Sequence, residues 1–152
     1  MNERPPFYVP WLLGIGALLP LWVSAVAMHM EALAEYFPLF SYGFEAFAAL
    51  LLAFLAGTHW GLAVAYGRHA LSRVSTILLL WSHVVLLAAW FALMQLDSVL
   101  SLPLLAVGYA VQWLMDRRLH QIYYISIWYM RLRNWLTPPA LAAFLLAFLA
   151  YA

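Results

Sequence analysis

The fold is decided by residues 40–66, which read FSYGFEAFAALLLAFLAGTHWGLAVAY. This stretch is almost wholly apolar, and it exceeds the roughly 20 residues that an α-helix needs to cross the hydrocarbon core of a bilayer. Similar apolar stretches precede and follow it, so the sequence predicts an all-α, polytopic transmembrane bundle with five spans. The predicted spans are residues 7–28, 40–66, 71–94, 99–115 and 135–152. The alternative interpretation has four spans and a re-entrant last segment.

The overall composition also favours lipid as the solvent. Of the 152 residues, 68% are hydrophobic and 9% are charged, whereas soluble domains carry about 25% charged residues. The net charge of +1 provides no basic field for nucleic acid. The absence of cysteine excludes disulfides and thiolate metal sites. We therefore expect one transmembrane domain over residues 1–152, with no catalytic residues and no metal site, because no known catalytic or metal-binding motif occurs.

The positions of the basic residues predict the orientation of the bundle. All seven are arginines, and they fall before span one, around the connection between spans two and three, or between spans four and five. They are Arg4, Arg68, Arg73, Arg117, Arg118, Arg131 and Arg133. The positive-inside rule then predicts a cytoplasmic N-terminus. Since no Arg- and Ser-rich presequence is evident, we expect a multi-pass protein of the bacterial inner membrane.

Residues 116–134 are the most polar part of the chain, and they are predicted to form a cytoplasmic amphipathic connection. This connection is either an interfacial helix or a pair of extensions of spans four and five. Arginines beside aromatic rings suit lipid head groups or a partner protein. The residues expected to make such contacts are Arg117, Arg118, Arg131, Arg133 and Trp128. Asp116 and His120, four apart, are predicted to pair on a helix face.

Glycines in the first and second spans predict close helix packing. Gly57 and Gly61 are four residues apart, which is the small-xxx-small spacing that lets two helices approach closely. Gly14 and Gly16 are predicted to play the same role in the first span.

His59 and His83 flank one predicted cytoplasmic loop at similar depths of about 15 Å. Each is predicted to make a buried polar contact, as polar groups in spanning helices do. Because imidazole is a common axial ligand, ligation of haem b or contact with a quinone is the alternative. Adjacent helices about 8–10 Å apart leave little room for haem, so no cofactor is expected. Glu45, near the outer end of its span, is predicted to reach water.

Three blocks of the chain resemble the DUF3429 family. They are FLAGTHWG at residues 54–61, DRRL at 116–119 and WYMRLRNWLT at 128–137. That family consists of small multi-span bacterial membrane proteins and includes the mitochondrial transmembrane protein 69. The resemblance implies a membrane location and no established activity. This chain has Ala56 where the family pattern has a second glycine, and His59 where the family allows arginine, which weakens the case for haem.

The scarcity of chemical groups favours a non-enzymatic protein. We expect an accessory or assembly subunit that packs within a larger inner-membrane complex. Its expected partners are the lipid bilayer and other membrane subunits, or further copies of itself, with no nucleic acid. The alternatives are a haem- or quinone-associated protein using His59 and His83, and a small oligomeric transporter or channel.

Overall fold

The bundle contains five long α-helices. The computed structural model describes residues 8–66, 72–95, 98–122 and 124–151. The helices are α1 Tyr8–Ala27, α2 Phe37–Tyr66, α3 Arg73–Gln95, α4 Ser98–Gln121 and α5 Ile127–Leu149, and a 3-10 helix, Glu31–Tyr36, leads into α2. Within this part of the chain, all five are long and apolar enough to cross a membrane. The five-span prediction is confirmed. The four-span alternative does not hold, because α5 has 23 residues and extends about 35 Å.

The last two helices are longer than predicted. α4 continues to Gln121 and α5 begins at Ile127, so residues 116–134 are not a separate amphipathic connection. Most of them belong to extensions of the two helices, which is the second of the two predicted alternatives. The helices continue because several polar side chains in this stretch are buried between them and need no water. Pro138 and Pro139 consequently lie inside α5 and not at its start.

The second helix is central to the bundle. It packs against α1, α3 and α4, while α5 packs against α1 and α4. Three aromatic rings meet at the core: Phe144 of α5 lies 5.1 Å, centroid to centroid, from both Phe44 and Tyr109. The Tyr109 hydroxyl also donates to the Ala48 carbonyl at 3.0 Å, which ties α4 to α2.

Close helix contacts occur at one predicted glycine and at one that was not predicted. Gly14 faces the Leu136 side chain where α1 meets α5. A Cβ added at Gly16, Gly57 or Gly61 would meet no atom of the described residues within 4 Å, so close packing at these three stays a prediction. Gly108 was not predicted, and an added Cβ there would lie 2.6 Å from Leu52 Cδ2.

One end of the bundle, here called the arginine-rich end, holds the start of α1, α3 and α5 and the end of α2 and α4. The described arginines all lie in the helix segments near it: Arg73, Arg117, Arg118, Arg131 and Arg133. Arg4 and Arg68 lie outside the described residues. The described acidic residues Glu31 and Glu35 lie in the 3-10 helix at the opposite end.

Candidate functional site

The Asp116 carboxylate joins three helices near the arginine-rich end. Asp116 is fully buried on α4. Its Oδ1 lies 2.8 Å from His59 Nε2 of α2, and its Oδ2 accepts a hydrogen bond of 2.7 Å from Arg133 Nε of α5. His59 is fully buried and Arg133 is 5% exposed. Both carboxylate oxygens are thus engaged by protein groups.

Gln112 extends this network to α3. Trp81 Nε1 donates to Gln112 Oε1 at 2.9 Å, and because indole can only donate, this bond fixes the orientation of the amide. Gln112 Nε2 is then a donor, directed at the Leu55 carbonyl at 3.1 Å and at His59 Nδ1 at 3.4 Å. His59 Nδ1 must accept, so the network selects the neutral imidazole whose Nε2–H donates to Asp116.

The network is balanced in charge. The Asp116 carboxylate offsets the Arg133 guanidinium, and the neutral imidazole adds nothing. His59 lies seven residues before the end of α2, Asp116 five before the end of α4, and Arg133 six after the start of α5. These separations place the network about 8–11 Å inside the helix ends. At that depth an unpaired charge is costly, so the pairing stabilises the bundle.

The two histidines predicted to share a level do not share a site. His83 is exposed; its Nδ1 donates to the Leu79 carbonyl at 2.9 Å. Its ring lies 5.0 Å from that of Trp60. Successive residues on a helix point about 100° apart, so Trp60 faces α3 while His59 faces the interior. A cofactor bridged by His59 and His83 does not fit this arrangement.

The other polar predictions near this end need revision. Asp116 does not pair with His120, whose Nδ1 bonds the Ile125 carbonyl at 2.9 Å. Arg133 is buried and bonded to Asp116, so it does not lie on the outer surface of the bundle with the other arginines. The remaining members of the predicted contact set are exposed, and the Arg117 guanidinium lies 4.9 Å from the Trp113 ring. The exposed members are Arg117, Arg118, Arg131 and Trp128.

Glu45 forms a second buried polar site toward the opposite end. It is 6% exposed, so the prediction that it reaches water is wrong. Ser101 of α4 donates to its Oε2 at 2.6 Å, and Ser41, one turn earlier on α2, donates to its Oε1 at 3.5 Å. Ser41 also contacts the Tyr151 hydroxyl. The site links α2, α4 and the end of the chain.

Most of the central network was not predicted from the sequence. His59 and Arg133 were predicted to have other roles, and no partner was predicted for Gln112. A spacing of four, which puts two side chains on one helix face, relates Gln112 to Asp116. That spacing was the available signal, but it does not reveal which neighbouring helix the face meets.

These features define the class of protein to which the chain belongs. The five apolar helices fit an integral membrane protein, and its buried ionisable groups connect one helix to another. Across the described ranges, no group of three or more His, Cys, Asp or Glu side chains could hold a metal.

The chain belongs to the family described as protein of unknown function (DUF3429), which it matches over residues 8–149. The resemblance seen in the sequence is thereby confirmed. No curated protein and no solved structure matches the chain.

Proposed function

We propose that this protein is a non-enzymatic accessory or assembly subunit of the bacterial inner membrane that binds a spanning helix of a different subunit. The binding surface, here called the notch face, consists of Gly57, Trp60, Gly61 and Val64 of α2 with His83 of α3. The observation that carries the proposal is the exposure of His83 on the outer surface of a spanning helix.

His83 is an ionisable side chain on a lipid-facing surface, where such side chains are rare. It lies ten residues after the start of α3, about 15 Å along the helix and close to the middle of the membrane. Its Nδ1 must donate to the Leu79 carbonyl, so in the neutral ring Nε2 is an acceptor. Ionisable side chains in spanning helices normally face protein. A partner helix with a hydrogen-bond donor opposite Nε2 would cover it, and such a bond contributes about 0.6–2 kcal/mol.

The glycines beside His83 leave room for such a helix. Gly57 and Gly61 are exposed and open, so the backbone of α2 is accessible there. Trp60, between them in sequence, is 46% exposed and touches His83. Small residues at a spacing of four allow close approach of another helix, and no residue in the described part of the chain fills this notch.

The interior supports an accessory role in preference to catalysis. His59, Asp116 and Arg133 bond to one another, and Glu45 bonds to serines. The described connections between helices are short and contain no soluble domain. Work done by this protein would then depend on what its helices contact.

Site-specific photocrosslinking in cells tests the proposal. A photoreactive phenylalanine derivative replaces Val64 on the notch face, and a matched control replaces Leu145 on α5; both side chains are 61% exposed. We expect a discrete adduct with a different membrane polypeptide from position 64 and none from position 145.

Substitutions at glycine supply the second comparison. Gly61→Leu fills the notch, and its Cβ would meet no described atom within 4 Å, so the fold should persist while the adduct from position 64 disappears. Gly16→Leu, at an equally open position on α1, should leave the adduct unchanged. An adduct only with lipid, or only with a second copy of this chain, would overturn the proposal.

A further inference from the structure

A cavity of about 480 Å³ opens between α1, α2 and α5. It is lined mostly by apolar side chains, including Leu13, Leu18, Leu51 and Phe54. Cavities of about 300–1,000 Å³ are typical of small-molecule sites. Leu13 and Phe54, at 70% and 71% exposed, mark a side opening toward lipid.

Polar side chains from α5 line the same cavity. Tyr129, Arg133 and Thr137 follow one another at intervals of four, so they form one ladder along the helix face that meets the cavity. Arg133 is 5% exposed and Thr137 is 3% exposed. The cavity therefore has an apolar body and a polar wall.

Two atoms of that wall lack any hydrogen bond. Among the described residues, Arg133 Nη2 and Thr137 Oγ1 are buried without a partner, and Tyr129 Oη, also buried, has only the Thr58 side chain beside it. Arg133 is bound to Asp116 through Nε alone, which leaves Nη2 as a donor. Buried donors are rarely left without an acceptor, because each costs the full penalty of desolvation.

We propose that this cavity binds a lipid-soluble molecule with a neutral, carbonyl-bearing head and an apolar tail. Arg133 Nη2 and the hydroxyls of Thr137 and Tyr129 donate to the head, and the leucines and Phe54 surround the tail. The head is neutral because Asp116 already offsets the charge of Arg133. Two sources share this chemistry: an isoprenoid quinone and an acyl lipid ester. The cavity shares no residue with the notch face, so a negative result for the partner helix would not contradict this proposal.

Titration of the purified full chain in detergent tests the site. The probes are decylubiquinone and dioleoylglycerol, and the readout is the shift in the thermal unfolding midpoint with probe concentration. We expect saturable binding of at least one probe. Binding of decylubiquinone alone identifies the quinone source, and binding of dioleoylglycerol alone identifies the acyl ester.

Variants that remove single hydroxyls locate the head. Thr137→Val and Tyr129→Phe should each weaken binding about three- to tenfold, the value of one hydrogen bond. Without probe, Thr137→Val should raise the unfolding midpoint, because it removes a buried hydroxyl that lacks a partner. A purely structural Thr137 would give the opposite sign. Thr76→Val, on α3 and outside the cavity, is the control. It should leave binding unchanged and should not raise the unfolding midpoint, because the Thr76 hydroxyl already donates to the Ser72 carbonyl.

A larger substitution tests the apolar part. Ala17→Phe fills the cavity from α1 and should abolish binding, whereas Gly16→Phe on the open side of the same helix should not. Absence of saturable binding by both probes would overturn the proposal. So would binding that Thr137→Val and Tyr129→Phe leave unchanged, and this outcome is readable even if Ala17→Phe fails to fold.

Discussion

At the residue scale, the order of the network follows from which groups can only donate and which can only accept. The Trp81 indole donates, so it orients Gln112; Gln112 then donates to His59, and His59 donates to Asp116. Asp116, as a carboxylate, accepts from both sides. Donation therefore runs in one direction from Trp81 to Asp116, and the carboxylate also accepts the bond that Arg133 donates from the other side.

The ion pair yields a prediction about stability. Asp116→Asn removes the charge that offsets Arg133 and should destabilise the fold by about 3–5 kcal/mol, because arginine cannot lose its proton. Arg133→Met should cost less, because the Asp116 carboxylate still accepts the hydrogen bond from His59. Thermal unfolding of the purified variants measures both.

The double variant is the control for that pair. Asp116→Asn with Arg133→Met removes both charges and should be more stable than Asp116→Asn alone. Additive losses would show that Asp116 and Arg133 do not interact.

A second prediction concerns the histidine tautomer. Trp81→Phe removes the donor that orients Gln112, so the amide is free to turn and His59 should no longer be restricted to the Nε2–H form. Nitrogen-15 NMR of the histidine ring should show one tautomer in the natural chain and a mixture in the variant. A Trp90→Phe control, on the exposed face of α3, should keep the single tautomer. An unchanged ring spectrum in Trp81→Phe would contradict the assignment.

At the element scale, α2 and α4 run side by side through most of the bundle. They meet at Gly108 and Leu52, at Tyr109 and Ala48, and at Ser101 and Glu45. Gly108 permits this approach, since any side chain there would meet Leu52. The sequence marked other glycines because their spacing is conspicuous, whereas the contact at Gly108 depends on how α4 is rotated.

Glycine substitutions at this scale should have opposite signs. Gly108→Ala forces Leu52 to move; a neighbouring cavity of about 150 Å³, lined by both residues, gives it room, so we expect a loss of about 1 kcal/mol. Gly43→Ala, at an open position in α2, should stabilise by about 0.5–1 kcal/mol because alanine favours helix. The thermal unfolding midpoints of Gly108→Ala and Gly43→Ala measure the two effects. A stabilising Gly108→Ala would mean that α2 and α4 lie farther apart.

The end of α4 and the start of α5 differ from the boundaries predicted from the sequence. The sequence predicted the start of span five at residue 135. In the structure α5 begins at Ile127, and Pro138 and Pro139 lie within it. The polar residues before them suggested water, yet Arg133 is buried against Asp116 and the helix simply continues.

At the scale of the whole molecule, the described arginines collect at one end and Glu31 and Glu35 at the other. This separation supports the predicted orientation, with the arginine-rich end in the cytoplasm. It also places the Asp116 network and the polar wall of the cavity in the same half of the bundle, since both contain Arg133.

The orientation is testable because the natural chain has no cysteine. Single cysteines replace Glu35 and Arg131, both exposed, at opposite ends of the bundle. In intact bacterial cells, a maleimide that cannot cross the inner membrane should label Glu35→Cys at once. It should label Arg131→Cys only after that membrane is permeabilised. The reverse pattern would place the N-terminus outside the cytoplasm.

The five apolar helices and the ends that carry the arginines follow from the order of residues alone. Lipid imposes this, because every backbone group in a span must be satisfied within its own helix, so length and hydropathy suffice. The contacts of Asp116 with His59 and Arg133, which lie 57 and 17 residues away in the chain, depend instead on how the helices pack. These helices are apolar on nearly every face, and lipid is as apolar as the bundle interior. Hydropathy therefore does not indicate which face turns inward; packing and the pairing of a few polar side chains do.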